Sequence, residues 1–363
     1  MLDRKRPYII AEAGVNHNGS PELALQLIDA VLEAGADAVK FQTFKADNLV
    51  TALAEKAQYQ KERTGKNESQ LVMLRKLELS RETHFRLAER CREVGIDFMS
   101  TAFDFDSLDF LIQDIDLTVL KIPSGEITNA PFLLAHARTG RVLILSTGMA
   151  TLGEIEMALG VLAFGFIQEN AHVTPSISAF QEAYYSREGQ HILQKKVILL
   201  HCTTEYPAPL EDINLKAMET MSRSFGLQVG YSDHSEGITV PIAATTLGAC
   251  IIEKHFTLDK SLDGPDHKAS LDPNELKTMV NALRSVEQIM GDGVKGPRPA
   301  EFGNRTVARK SIVATRNIRQ GDIFTEENLT LKRPGIGLNP FRYWDILGQK
   351  ATRNYDQDEV ISM

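Results

Sequence analysis

Eight short apolar runs recur along the first 290 residues of the chain, and several are rich in β-branched side chains. They fall at 8–12 (YIIAE), 37–42 (DAVKFQ), 96–101 (IDFMST), 117–122 (LTVLKI), 141–146 (RVLILS), 196–202 (KVILLHC), 227–232 (LQVGYS) and 250–256 (CIIEKHF). None alternates cleanly, which suits strands buried on both faces of a parallel sheet. Segments of helical period lie between several of them. Residues 20–35 place Ser20 as N-cap, Pro21 in the first turn, a stripe through Leu23, Leu27 and Val31, and Gly35 as the stop. Residues 80–95 repeat that plan from Ser80 to Gly95, and 272–290 opens on Asp-Pro. Alternating strands and helices predict a parallel sheet, and eight units predict a closed (β/α)8 barrel. The rival, an open doubly wound sheet, usually has fewer strands and a GxGxxG first turn; here the first turn reads AGVNHNGS. The connections 43–95 and 147–195 are long, and each is expected to roof the active site.

Composition shifts after residue 290. The stretch GDGVKGPRPAEFGNRT is dense in Gly and Pro and reads as a linker. The expected organisation is a catalytic barrel over 1–292, a linker over 293–304 and a small, mostly β domain over 305–363, close to the lower size limit for folding alone. With 40 Lys+Arg against 48 Asp+Glu, the net charge of −8 argues against a nucleic-acid partner. No apolar stretch reaches the roughly 18 residues of a membrane helix, and the opening MLDRKRPYIIAEAG lacks a signal-peptide core. Cys91, Cys202 and Cys250 form no CxxC pair and read as reduced thiols, so the expected location is the cytoplasm.

Reacting residues of such barrels sit at the C-terminal ends of the strands. Polar residues cluster at those ends here: Glu12, Asn16 and His17; Lys40 and Gln42; Ser100 and Thr101; Lys121, Ser124 and Glu126; Ser146 and Thr147; His201, Thr203 and Tyr206; Ser232, Asp233 and His234; Lys254 and His255. Buried Lys and Glu beside apolar strands need partners. Lys40, Lys121 and Lys254 converging on one mouth predict an anion site, with phosphate the commonest barrel anion. Two other readings stay open: ion-pair partners for Glu12 and Glu126, or one lysine forming a Schiff base. His234 and His255 end adjacent strands, about 4.8 Å apart, so both imidazoles can reach one divalent metal whose shell water or substrate completes. Such a site polarises a carbonyl. Glu12 and Glu126 read as proton shuttles, hydroxyl acceptors or simple counter-charges.

The motifs IAEAGVNHNGS, AVKFQTFK, KIPSGEITN, LSTGMAT, LHCTTEYPAP, GYSDHSEG, IEKHFTLDKSLDGPDHKAS and LKRPGIG strongly resemble, in order and over both domains, the bacterial sialic acid synthase family, which includes N-acetylneuraminate synthase. The resemblance implies a barrel followed by an antifreeze-like SAF domain. It implies condensation of phosphoenolpyruvate with open-chain N-acetylmannosamine and water to give N-acetylneuraminate and phosphate. By motif, phosphoenolpyruvate contacts fall on Lys40, Lys121, Ser124, Ser146 and Ser232, with Asn67 and Thr101, and sugar contacts on Gln42, Tyr206, Asp266 and Arg333. Glu12 and Glu126 match the catalytic carboxylates. His234 and His255 match ligands of a divalent metal, Mn2+ first, with Mg2+ or Co2+ as alternatives. The resemblance further implies a homodimer with exchanged tails, Arg333 serving the partner's barrel. The stretch 165–195 looks longer than the family's usual link and leaves the sugar open. Sister synthases making legionaminic or pseudaminic acid from a 6-deoxy diacetamido sugar are the nearest alternative. A Schiff-base aldolase and a sugar- or ice-binding module are the others.

Overall fold

A computed structural model describes residues 6–64, 68–167 and 172–362. The first compact unit, Met1–Gly291, is built on eight strands. They are β1 (Tyr8–Gly14), β2 (Ala38–Thr43), β3 (Asp97–Ala102), β4 (Val119–Ile122), β5 (Val142–Ser146), β6 (Val197–His201), β7 (Gln228–Asp233) and β8 (Ile251–His255). All neighbours are parallel, and β8 pairs back onto β1 with Tyr8 opposite Ile251 and Glu12 opposite His255, so the sheet closes into a barrel. The expected (β/α)8 fold is the observed one, with strand bounds shifted by no more than two residues.

The helices start and stop where local chemistry dictates. Ser20 caps Pro21–Ala34 by accepting from the Leu23 amide, and Gly35 ends it in the left-handed region. Ser80 and Gly95 do the same for Arg81–Val94. Asp272 and Glu275 form a capping box at the head of Pro273–Met290.

Strand alternation sorts the core into two shells. Tyr8, Ile10, Ala38, Met99, Ile144, Ile198, Leu200 and Ile251 cluster in the barrel interior. Their neighbours in sequence, among them Ile9, Ala11, Val39, Leu143, Leu145 and Ile252, pack against the outer helices. Toward the C-terminal ends the inward series turns polar: Glu12, Lys40, Thr101, Lys121, Ser146, Ser232 and Glu253, all buried.

The two long connections differ. Within 43–95, short helices Ala46–Leu49, Gln58–Thr64 and Gln70–Leu77 lie over the strand ends, and Leu49, Val50, Met73, Leu74 and Leu77 line the central cavity. The described residues of the 147–195 connection do not roof the site. Its helices Ile177–Tyr185 and Arg187–Lys196 pack instead on the outer helix Leu152–Phe166, with Phe164 and Phe180 edge to face at 5.3 Å. Phe180, Ala183 and Tyr184 bury the apolar face of Ile177–Tyr185, and a large buried side chain contributes about 1.5–3 kcal/mol. That burial fixes the segment to the barrel's flank, and of 147–195 only Met149 reaches the cavity among the described residues.

The second unit, Asp292–Met363, has its own core of Ile312, Ile318, Phe324, Leu329, Ile346, Tyr355 and Ile361. Strands β9 (Ser311–Ala314) and β10 (Leu329–Lys332) pair antiparallel, and bridges such as Ile318 to Tyr355 extend the β character. The stretch expected as a linker is partly structured. Pro299 opens a helical turn, Pro299–Glu301, and Phe302–Ala308 is helical. Glu301 receives the Arg298 amide at 2.8 Å, a start signal that Gly and Pro content alone hides. No helix of the described residues is long and apolar enough to cross a membrane. The three cysteines are free thiols.

Candidate active site

A cavity of about 390 Å3 opens at the C-terminal end of the barrel. Its floor is a charge cluster. Lys40 Nζ lies 2.5 Å from Glu12 Oε2 and 3.6 Å from Glu253 Oε2, and donates to Thr101 Oγ1 at 3.2 Å. Lys121 Nζ is 3.3 Å from Glu253 Oε1, which also accepts from Ser232 Oγ at 2.8 Å. Burial raises Glu12 to about 7, with Lys40 opposing and the Glu253 charge adding to the rise. For Glu253 burial pushes the same way, but Lys121 and Lys40 override it and hold the carboxyl down at about 2. Burial opposes the charge on Lys40; Glu12 and Glu253 outweigh it and raise its pKa. The floor therefore holds one firmly ionised carboxylate, and a second whose proton is poised near neutrality.

The walls carry hydrogen-bonding groups. Ser146 Oγ is buried with no partner among the described residues and faces the cavity. Ser124 Oγ accepts from the Gly148 amide at 2.9 Å and lies 3.2 Å from Cys202 Sγ. A Cβ on Gly148 would sit 2.1 Å from Thr204 Oγ1 and 2.9 Å from Ser124 Oγ, so only glycine lets these loops meet.

His234 and His255 stand side by side at 5.7 Å between ring centroids. His234 Nδ1 donates to the Thr203 carbonyl at 2.6 Å, which fixes the tautomer and leaves the Nε2 lone pair free. Burial lowers His234 to about 4 and, with His234 and Lys40 nearby, holds His255 well below the ordinary value. Both rings are neutral, as a metal would require, and His255 Nδ1 is buried with no partner among the described residues. No group of three His, Cys, Asp or Glu side chains suited to a metal occurs among the described residues. A metal held by this pair would need substrate or water oxygens in its remaining positions.

Tyr206 lies over His234 at 4.1 Å between ring centroids. Arg63, from the roofing helix Gln58–Thr64, donates to the Tyr206 carbonyl and to the Pro265 carbonyl, each at 2.8 Å. It so ties together the loops that carry Tyr206 and Asp266. Burial raises Asp266 to about 6, with Arg63 opposing. Arg63→Ala is expected to raise about tenfold the KM of a substrate that Tyr206 and Asp266 contact, since charge-assisted contacts to two loops are lost, with less change for one held on the floor. Steady-state kinetics with each substrate varied in turn checks this.

The structure brings Glu12, Lys40, Gln42, Thr101, Lys121, Ser124, Glu126, Ser146, Tyr206, Ser232, His234, His255 and Asp266 to one cavity. Glu126 is half-buried at its rim, in the turn Ser124–Glu126, and accepts from Asn129 Nδ2 at 2.7 Å. The carboxylate facing both floor lysines is Glu253 instead. Asn67 lies outside the described residues. Arg333 is an exposed side chain just after β10 on the second unit. Lys254 does not join the anion site. It alternates with Glu253 and His255, so it faces out of the barrel and pairs with Asp233 at 2.6 Å. Ser100, Thr147 and Thr203 likewise bond outward, to Thr43, to the Leu200 carbonyl and to the Asp212 carbonyl. Asn16 holds the Phe256 carbonyl, His17 bonds the Gly19 amide, and His201 bonds the Ile213 carbonyl; none lines the cavity.

Residues 27–295 match the NeuB family and residues 309–363 match the SAF domain. The chain belongs to the NeuB family. It is 48% identical to the N,N'-diacetyllegionaminic acid synthase of Campylobacter jejuni, over 98% of this chain and 99% of that one. It is 47% identical to the synthase of the same name from Legionella pneumophila, over 96% and 91%. The crystal structure of an N-acetylneuraminic acid synthetase from Leptospira borgpetersenii superposes with a TM-score of 0.65 at 34% identity, covering 83% of this chain and 90% of that one. This NeuB chain thus carries the barrel and the SAF domain that the motifs implied, and it is an enzyme of a nonulosonic acid synthase family.

Proposed function

We propose that this NeuB enzyme condenses phosphoenolpyruvate with an open-chain 6-deoxy diacetamido sugar, giving an N,N'-diacetyllegionaminic acid and phosphate. The expected N-acetylmannosamine gives way to this sugar because the legionaminic acid synthases stand at 48% and 47% identity and the sialic acid synthetase structure at 34%. The half-buried Leu49, Val50 and Leu74 at the roof also suit a substrate that presents methyl groups in place of hydroxyls.

The reaction class rests above all on one observation: two buried ammonium groups share one cavity with the buried Ser146 hydroxyl, which has no partner among the described residues, and with one poised carboxylate. Lys40 and Lys121 hold the carboxylate and phosphate of the enol phosphate, and Ser146 donates to it. Gln42, Tyr206 and Asp266 orient the sugar so that C3 of phosphoenolpyruvate meets the aldehyde carbon. A divalent cation between His234 and His255, expected as Mn2+, with Mg2+ or Co2+ as alternatives, would polarise the aldehyde oxygen. Glu12, ionised, stabilises the cationic C2 that follows and takes a proton from the water that adds there; the tetrahedral centre then expels phosphate. Glu126 at the rim contributes a second carboxylate. A Schiff base on Lys40 is disfavoured, because such a lysine needs a depressed pKa and Lys40 is pushed the other way. The exchanged-tail homodimer, with Arg333 donating to the sugar's N-acyl carbonyl in the partner's barrel, belongs to the same proposal and is supported by the motif resemblance.

The test is phosphate release with Mn2+, phosphoenolpyruvate and the 6-deoxy diacetamido sugar. Release that needs both substrates, with a nine-carbon diacetamido 2-keto acid in the mass spectrum, is the expected result. Covalent trapping of pyruvate by borohydride without phosphate release would point to the aldolase instead.

A further inference from the structure

We propose that the buried Lys254–Asp233 pair is a positioning device that sets His234 for the metal from the outer side of the barrel wall. The inference rests on the metal reading of His234 and His255. Lys254 and Asp233 both have fully buried side chains, and their charged atoms are 2.6 Å apart. Lys254 lies between the two cavity-facing residues of β8, Glu253 and His255, so its own side chain projects to the opposite side. There it reaches the segment after β7. Asp233 Oδ1 accepts from the Ser235 amide at 3.0 Å and from Ser235 Oγ at 2.8 Å. Lys254 Nζ also donates to the Ser235 carbonyl. Every polar group of Ser235 is thereby tied to the ion pair, and Asp233 and Ser235 are the two residues that flank His234. The His234 carbonyl accepts from the Ala208 amide at 2.9 Å, and its ring is held by the Thr203 carbonyl. The backbone on both sides of the imidazole, and the imidazole itself, are fixed.

A buried ion pair is a poor way to gain stability. Desolvation offsets most of its attraction, and apolar residues of similar volume often serve as well. What the pair supplies here is direction. An apolar replacement fills the space but cannot hold the three polar groups of Ser235. Groups that orient metal-binding imidazoles commonly change metal affinity 10- to 100-fold when removed, and this pair acts on His234 through the residues that flank it.

The experiment is isothermal titration of Mn2+ into the full-length protein, alongside titration of phosphoenolpyruvate into the metal-free protein. The paired variant Asp233→Leu with Lys254→Met removes both charges together, so neither is left buried alone. It is expected to melt as a folded protein, to bind phosphoenolpyruvate as wild type does, and to bind Mn2+ at least about tenfold more weakly. Ser235→Ala removes only the hydroxyl tie and is expected to weaken Mn2+ binding measurably, by a smaller factor. If the paired variant does not fold, Ser235→Ala decides the matter alone. Wild-type Mn2+ affinity in a folded variant overturns the positioning role while leaving the metal reading intact. Absence of saturable Mn2+ binding in the wild-type protein overturns the metal reading and the positioning role with it.

Discussion

Glu12→Gln is expected to lower kcat about 100- to 10,000-fold, the range that a positioned acid–base group contributes. The pH profile makes this specific. Burial raises Glu12 to about 7, and in the proposed reaction the ionised form takes the proton. kcat/KM should therefore fall as pH drops below about 7 and level off above it, reporting the free enzyme's group. In Glu12→Gln the residual rate should lose that limb. Stability follows the same proton with the opposite sense. The folded-state value is raised from 4.5 to about 7, so the folded protein holds the proton more tightly than the unfolded chain. The stabilising contribution is fully present below about 4.5 and is lost as pH rises through about 7. Glu12→Gln should flatten that part of the stability curve. Normal turnover in the variant, or an unchanged acid limb in its residual activity, contradicts the assignment.

Lys121→Ala is expected to raise the KM for phosphoenolpyruvate at least about 30-fold, because truncating one member of a buried charged contact costs roughly 2–5 kcal/mol. Lys121 sits 3.3 Å from Glu253 on the floor, while Tyr206 and Asp266 belong to the loops that Arg63 ties together. The sugar KM should change far less. Equal effects on both substrates contradict the division of the cavity into an anion floor and a sugar wall.

The barrel was legible because buried parallel strands leave a strong mark: short apolar runs without clean alternation, separated by capped helices. Ser20, Gly35, Ser80, Gly95 and Asp272 cap as their residue types imply. Most of the site was legible too, since chemistry in this fold gathers at strand ends. What went astray there was direction. Side chains alternate across a strand, so Lys254 and His255 cannot both face the cavity. Applied to IIEKH, the alternation that points His255 inward also points Glu253 inward and Lys254 outward, and the same rule separates Ser100 from Thr101 and Thr147 from Ser146. Arg63 was not legible in this way. It acts from a short roofing helix through two main-chain carbonyls far away in sequence, and no periodic pattern marks such a contact. The expectation that 147–195 roofs the site fails for a related reason: its helices Ile177–Tyr185 and Arg187–Lys196 each bury one face, and only the packing shows which surface they cover.

The most direct measurement of the proposed function is a competition. Wild-type enzyme with Mn2+ and limiting phosphoenolpyruvate is given equal concentrations of the 6-deoxy diacetamido sugar and N-acetylmannosamine, and the two nonulosonic acids are quantified by mass spectrometry. The diacetamido product should dominate. Predominant N-acetylneuraminate would contradict the proposed substrate.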